Sequence, residues 1–243
     1  VKIPRFAFEK FPGAEPVLGT AMKAVGEVAA MGRSFEEALL KAIRSLEIDR
    51  DSLDAPPDLA AVDDEGLAAR LAVPSPERLW ELAEGLRRGW TEERLFDITA
   101  VDPWFMRRIA GLVAAEAVVS SRDLAEPVRT AAKRLGFADS QLGRLRGTGA
   151  AEERQARLDL GLRRIRRRVD TCAAEFEART PYLYGSFGDR DEQPAARRSV
   201  VILGGGRIGQ ATARALAQSE HDYRVVEKVA DLHAQEILGA TAK

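Results

Sequence analysis

The sequence predicts a mainly α-helical protein that ends in a single β-α-β unit, and three observations carry this reading. Residues 34–46 combine a helix-capping pair with an apolar stripe of helical period. From Ser75 to Gly136, helix-start and helix-stop residues recur at short intervals around further apolar faces. Near the C-terminus, SVVILGGGRIGQATARALAQSEHDYRVVEK reads as an apolar strand, a glycine turn, a helix and a second strand.

Taken in order, the elements follow from local chemistry. VKIPRFAFEKFPG alternates loosely, with Ile3, Phe6, Phe8 and Phe11 apolar, and predicts extended chain closed by a Pro-Gly turn. Ser34 stands three residues before Glu37, a capping box, ahead of Phe35, Ala38, Leu39, Ala42, Ile43 and Leu46 on one helical face. The acidic stretch EIDRDSLDAPPDLAAVDDEG holds two adjacent prolines, so its composition predicts a linker and domain boundary near residues 48–73. Ser75 and Pro76 then start a helix bearing Leu79, Leu82, Ala83 and Leu86; Thr91 opens another. Asp102 and Pro103 cap a third with Phe105, Ile109, Leu112 and Val113 inward. Val128, Ala131, Ala132 and Leu135 line a fourth, stopped by Gly136. Short helices joined by short turns predict a compact all-α domain. GDRDEQPAARR reads as a second linker, and the last helix turns Ala213, Leu216 and Ala217 inward.

Composition excludes several classes. The 243 residues are 45% hydrophobic, with 37 basic against 38 acidic side chains, so the charge balance predicts neither nucleic acid nor an anionic membrane as partner. Cys172 is the one cysteine; with His221 and His233 it makes neither a disulfide nor a usual zinc site. A cytoplasmic setting is expected, since no run of about 18 apolar residues or leader is present. The chain starts at Val1 rather than Met, as a fragment does.

Gly204, Gly206 and Gly209 fit G-x-G-x-x-G, and Glu227 lies where an acidic residue accepts hydrogen bonds from an NAD ribose. These four are the candidate cofactor-binding residues. Against them, two parallel strands are too little sheet to stand alone, so a nucleotide site needs further strands to complete it. Cys172 has no histidine close in sequence to activate it and reads as structural. Asp170 and Glu175 read as capping or ion-pairing groups. Arg163, Arg164, Arg166, Arg167 and Arg168 read as a solvated face or interdomain salt bridges, because acidic sequence flanks them and no aromatic residue interleaves them. Trp80, Trp90 and Trp104 read as core. No catalytic residue and no metal ligand is assigned.

KIPRFAFEKFPGAEPVLGTAMKAVGEVAAMGRSFEEALLKAIRSLE, SPERLWELAEGLRRGWTEERLFDITAVDPWFMRRIAGLV, GFADSQLGRL and RVDTCAAEFEARTPYLY resemble the large subunit of carbamoyl phosphate synthase, in that family's order, over about the first 185 residues. The resemblance implies that residues 1–47 are the tail of an ATP-grasp unit and that residues 48–190 are a helical oligomerisation domain; residues 191–243 read, from their own pattern, as a linker and a truncated Rossmann-like unit. Arg33 and Glu27 fall in the ATP-grasp tail, whose ATP- and metal-binding residues are expected to precede Val1. The chain is therefore expected to be inactive alone and to bind no cofactor, whereas the intact family enzyme uses ATP and Mg in arginine and pyrimidine biosynthesis. Expected partners are a second copy, other synthetase subunits and, in the intact enzyme, the glutaminase small subunit.

Two departures qualify the likeness. A proline and a tyrosine commonly stand in that family where Arg164 and Arg166 do, and the family loop similar to GGGPNRIGQG lacks two residues before Arg207 here. ATARALAQSEHDYRVVEKVADLHAQEILGA instead resembles the NAD-binding Rossmann unit of Trk-type potassium-uptake regulators, as far as Glu227. That likeness implies an alternative role as an NAD-binding regulatory module.

Overall fold

The structure, a computed structural model, describes residues 1–6, 8–10, 12–120, 124–173, 175–176, 182–192, 199–203 and 222–226. It divides into one unit from Val1 to Glu192 and another from Gln193 to Lys243. Mainly helical, it carries eight α-helices and six short strands among the described residues, as the sequence predicts.

The first unit opens with β1 (Lys2–Phe6) and β2 (Ala24–Ala29), antiparallel with Lys2 opposite Ala29 and Arg5 opposite Gly26. The register slips between Arg5 and Phe6. Helix α1 (Phe35–Ser45) then starts as its capping box directs: Ser34 Oγ accepts from the Glu37 amide at 3.2 Å. The Glu37 carboxylate reaches back one residue further than usual, to the Arg33 amide at 2.7 Å. Ala38, Leu39, Leu40, Ala42, Ile43 and Leu46 are all buried.

The acidic stretch is not the linker its composition predicts. Pro57–Ala61 forms a 3-10 turn, and α2 (Asp64–Ala72) follows, capped by Asp63 Oδ1 accepting from the Gly66 amide at 2.8 Å. Pro57 opens this turn instead of breaking a helix, because a first-turn residue needs no amide hydrogen. Leu59, Leu67 and Leu71 are fully buried, and they make a second core with Leu82, Trp90, Leu95 and Met106.

Helices α3 (Arg78–Arg87) and α5 (Pro103–Val119) contribute side chains to both cores, and α4 (Glu92–Thr99) adds Leu95 to the second. Ser75 begins a turn rather than the helix itself, its Oγ accepting from the Glu77 amide at 3.2 Å, so α3 starts two residues after Pro76. Thr91 and Asp102 cap α4 and α5 as expected. The buried stripe of α5 runs Met106, Ile109, Leu112, Glu116, Val119, one position off the predicted stripe at its start, so Phe105 faces outward.

Helices α6 (Glu126–Leu135) and α7 (Asp139–Arg146) close the first core around Phe137 and Leu142, and α8 (Ala150–Asp159) is tied to them through the buried Glu153. Gly136 ends α6 with φ of 99°, and a Cβ there would lie 2.9 Å from the Glu37 Cα; only glycine permits both the left-handed turn and so close an approach to α1. The α6 face differs from the prediction. Ala131 is exposed, whereas Arg129 and Lys133 are buried beside Ala132. An antiparallel pair, β3 (Ile165–Val169) and β4 (Tyr182–Ser186), completes the unit.

In the second unit, β5 (Ser199–Leu203) and β6 (Asp222–Val226) pair in parallel, Ser199 opposite Asp222 through Leu203 opposite Val226. Parallel pairing requires a crossover between them, as the β-α-β reading expects. The predicted inward positions Ala213, Leu216 and Ala217 lie outside the described residues.

Candidate functional site

The buried charges of the first unit are paired for structure. Glu36, Glu37, Glu81, Glu116 and Glu153 are all buried, and each faces a cation: Arg108, Lys41, Arg70, Arg87 and Arg129 in turn. Burial pushes the Glu116 carboxyl pKa up, with the fork from Arg87 opposing it at 2.9 and 3.1 Å. All but the Glu37–Lys41 pair, which lies within α1, join one helix to another. Each of these five carboxylates is thereby engaged by a cation. Among the described residues, no group of three or more His, Cys, Asp and Glu side chains is placed to hold a metal ion.

The other predicted positions also settle into local bonding. The Cys172 amide donates to Asp170 Oδ1 at 3.0 Å, which realises the capping role of that carboxylate, and the Cys172 carbonyl accepts from the Glu175 amide at 2.9 Å. The Cys172 thiol is half-buried. His221 and His233 lie outside the described residues, as do Gly204, Gly206, Gly209 and Glu227. In the arginine cluster, Arg166 pairs with Asp191 at 3.0 Å and Arg167 with Glu192 at 2.7 Å, while the Arg168 amide donates to Glu192 at 2.8 Å. These partners come from the stretch predicted as a linker, and they belong to the same unit. Glu27 pairs with Lys2 across the first hairpin at 2.7 Å.

Trp80 and Trp90 are core residues, as predicted. Their indole N–H groups donate to the Ser52 carbonyl and to Asp64 Oδ2, each at 3.0 Å. Trp104 is not. It stands in the first turn of α5, 40% exposed beside Phe105 at 43%, because the inward stripe of that helix begins only at Met106. Phe35, at the start of α1, meets both rings edge-on, at 5.0 Å from Trp104 and 5.6 Å from Phe105, and those two are 5.1 Å apart at 89°. Arg108 lies over Trp104 at 5.2 Å and reaches Glu36 at 3.5 Å. The result is a fixed aromatic surface of three mutually tilted rings with an arginine and a glutamate at its margin. Large aromatic side chains and arginine, held rigid before binding, are the residue types that dominate association energies. Among the described residues no helix is long and apolar enough to cross a membrane, so this surface is not part of a membrane-spanning helix.

Comparison with known proteins bears on this surface. Residues 27–161, which include all three rings, match the family described as carbamoyl-phosphate synthetase large chain, oligomerisation domain. The carbamoyl phosphate synthase large chain of Myxococcus xanthus is 46% identical over 220 residues, covering 86% of this chain and 20% of that protein. Those of Archaeoglobus fulgidus and Thermomicrobium roseum are each 43% identical, covering 96% of this chain and 22% and 21% of theirs. A match to 96% of 243 residues leaves about ten outside it, so the similarity runs well past residue 185 into the C-terminal unit. The chain spans about a fifth of the length of these relatives. With more than half of its residues matched by that model, it belongs to the carbamoyl-phosphate synthetase large chain family and carries that family's oligomerisation domain.

Proposed function

We propose that this chain serves as the connecting and self-associating part of a carbamoyl phosphate synthase large chain, and that a second copy docks on the surface formed by Phe35, Trp104 and Phe105. The exposed, preorganised ring cluster carries the reading. A C2 contact is self-complementary, and the half-exposed Arg108 at the margin, steadied by the buried Glu36, offers a cation to a rotated copy. Light scattering after size exclusion is expected to show concentration-dependent oligomers. Trp104→Glu is expected to weaken association by about 2 kcal/mol or more, roughly thirtyfold, with the helical signal unchanged. A clean monomer at every concentration, or oligomers indifferent to Trp104→Glu, refutes it.

The chemistry of the intact synthase, carbamoyl phosphate from bicarbonate, ammonia or glutamine and ATP for arginine and pyrimidine synthesis, is proposed to need parts beyond these residues, with the glutaminase small subunit among the partners. Supplied with ATP, magnesium, bicarbonate and ammonia, the 243-residue chain is expected to release no carbamoyl phosphate above background. Turnover would overturn that proposal.

The parallel pairing of β5 and β6 favours a second reading, in which Gly204, Gly206, Gly209 and Glu227 belong to a nucleotide site. Such a site draws on neighbouring strands and helices for its walls. With this chain alone, NADH fluorescence is expected to rise without saturating; saturable binding lost on Gly206→Asp would establish the site here.

A further inference from the structure

A groove of about 940 Å³ opens between β1 and the α2–α3 region of the first unit. It lies within the size range of small-molecule sites. Its walls are mostly apolar, with Ile3, Phe6, Val17, Leu18, Leu79 and Trp80 contributing. Four arginines and two glutamates join this lining, and their pairing is uneven.

Arg50 is held by Glu77 at 2.6 Å, and Arg70 by both Glu81 and Asp58 at 2.8 and 2.7 Å. Arg78 has no such partner. Its Nη2 donates to the Leu71 carbonyl at 2.8 Å, its Nε is buried without a partner, and among the described residues no carboxylate stands within ion-pair distance of it. Glu81 attracts Arg78 electrostatically, but its Oε1 accepts from Arg70 at 2.8 Å and its buried Oε2 makes no hydrogen bond among the described residues, to Arg78 or otherwise. A guanidinium partly withdrawn from water, set in an apolar wall and without a carboxylate in ion-pair contact, is a recognition element for an anion.

We propose that this groove binds an amphipathic carboxylate, with the aliphatic body along the apolar wall and the carboxylate on Arg78. Arg78, a cation of the lining without an ion pair among the described residues, selects against an ammonium head. The apolar wall selects against small inorganic anions, which gain nothing from it.

The test is calorimetric titration of the full chain with octanoate, 1-octanol and octylammonium. Octanoate is expected to bind saturably, and the alcohol at least about tenfold more weakly, the worth of one charged hydrogen bond. The ammonium is expected to bind weakest. Arg78→Gln is expected to lose about the same tenfold for octanoate alone, and Arg78→Lys to recover part of it. Ala69→Trp, at an exposed position in the wall, blocks the groove and leaves Arg78 intact, so the question stays answerable if Arg78→Gln fails to fold. Equal affinity for octanoate and octanol, no saturation by octanoate, or octanoate binding unchanged in Arg78→Gln and Ala69→Trp overturns the proposal.

Discussion

Glu153→Gln is expected to lower the unfolding free energy by about 3–5 kcal/mol, a large share of a typical domain's stability. Glu153, on α8, is 1% exposed and receives hydrogen bonds from Arg129 on α6, from Arg146 at the end of α7, and from Thr148 Oγ1 at 2.8 Å. One carboxylate thus ties three helices. Glutamine keeps the volume and removes the charge, and among the described residues Arg129, itself 5% exposed, then has no counter-ion left. Urea unfolding followed by circular dichroism measures the loss. Replacing the most buried pair together, Arg129→Met with Glu153→Leu, is expected to recover part of it, since matched apolar residues avoid the desolvation cost that a half-pair keeps, while Arg146 still loses its bond to Glu153.

The pH dependence of that effect has a definite sign. Burial works against the Glu153 carboxylate, but the bonds from Arg129 and Thr148 outweigh it and hold its pKa below the ordinary range. A depressed glutamate contributes its full stability above the unfolded pKa and loses it as pH falls through the folded one. The gap between wild type and Glu153→Gln should therefore be widest near neutrality and close in acid. A gap under about 1 kcal/mol at pH 7 would show that the three-helix tie carries little of the fold.

Caps were the most legible feature of the sequence, because a cap is decided within four residues. Ser34, Thr91, Asp102 and Gly136 all act where short-range chemistry places them. The stretch from 48 to 73 was harder to read. Its prolines and acids resemble a linker locally, and only the spacing of Leu59, Leu67 and Leu71, four and eight residues apart, betrays a buried face. The aromatic surface was misread for a related reason: Trp104 and Phe105 are as apolar as core residues, and their outward placement depends on where the stripe of α5 begins. Buried charges were invisible altogether. Arg129 and Glu153 are 24 residues apart, and no local rule announces that two polar side chains will meet inside. The glycine motif, by contrast, was plain in the sequence, but its residues lie outside those the structure describes.

Lys133, in a separate buried cluster, supplies a second measurable consequence, with the same sign of pH dependence in a more alkaline window. The ammonium, 3% exposed on α6, donates to the Phe137 carbonyl at 2.6 Å and to Asp139 on α7 at 2.7 Å. Arg157 of α8 and Arg164 before β3 face the same spot, and all three cations lie within 6 Å of the Phe187 ring, at 5.1, 5.6 and 5.9 Å. Loss of solvation outweighs the attraction of Asp139, and the lysine pKa is pushed down from 10.5 to about 8. Asp139 keeps its charge regardless, since bonds from Arg157 and Lys133 more than offset its own burial.

The unfolded chain therefore binds the Lys133 proton more tightly than the folded one, so stability rises with pH across the window from about 8 to 10.5. Over that window the change is about 3 kcal/mol. Lys133→Met removes the titration while Arg157 still holds Asp139, so the difference between wild type and variant should move by this amount in favour of the wild type as pH rises. If the ion pair outweighed burial instead, the difference would move the other way, and a difference flat between pH 7 and 10.5 would show that Lys133 reaches solvent. Comparing denaturation midpoints of the two proteins in borate buffers decides among these, because every other lysine and tyrosine titrates alike in both and cancels.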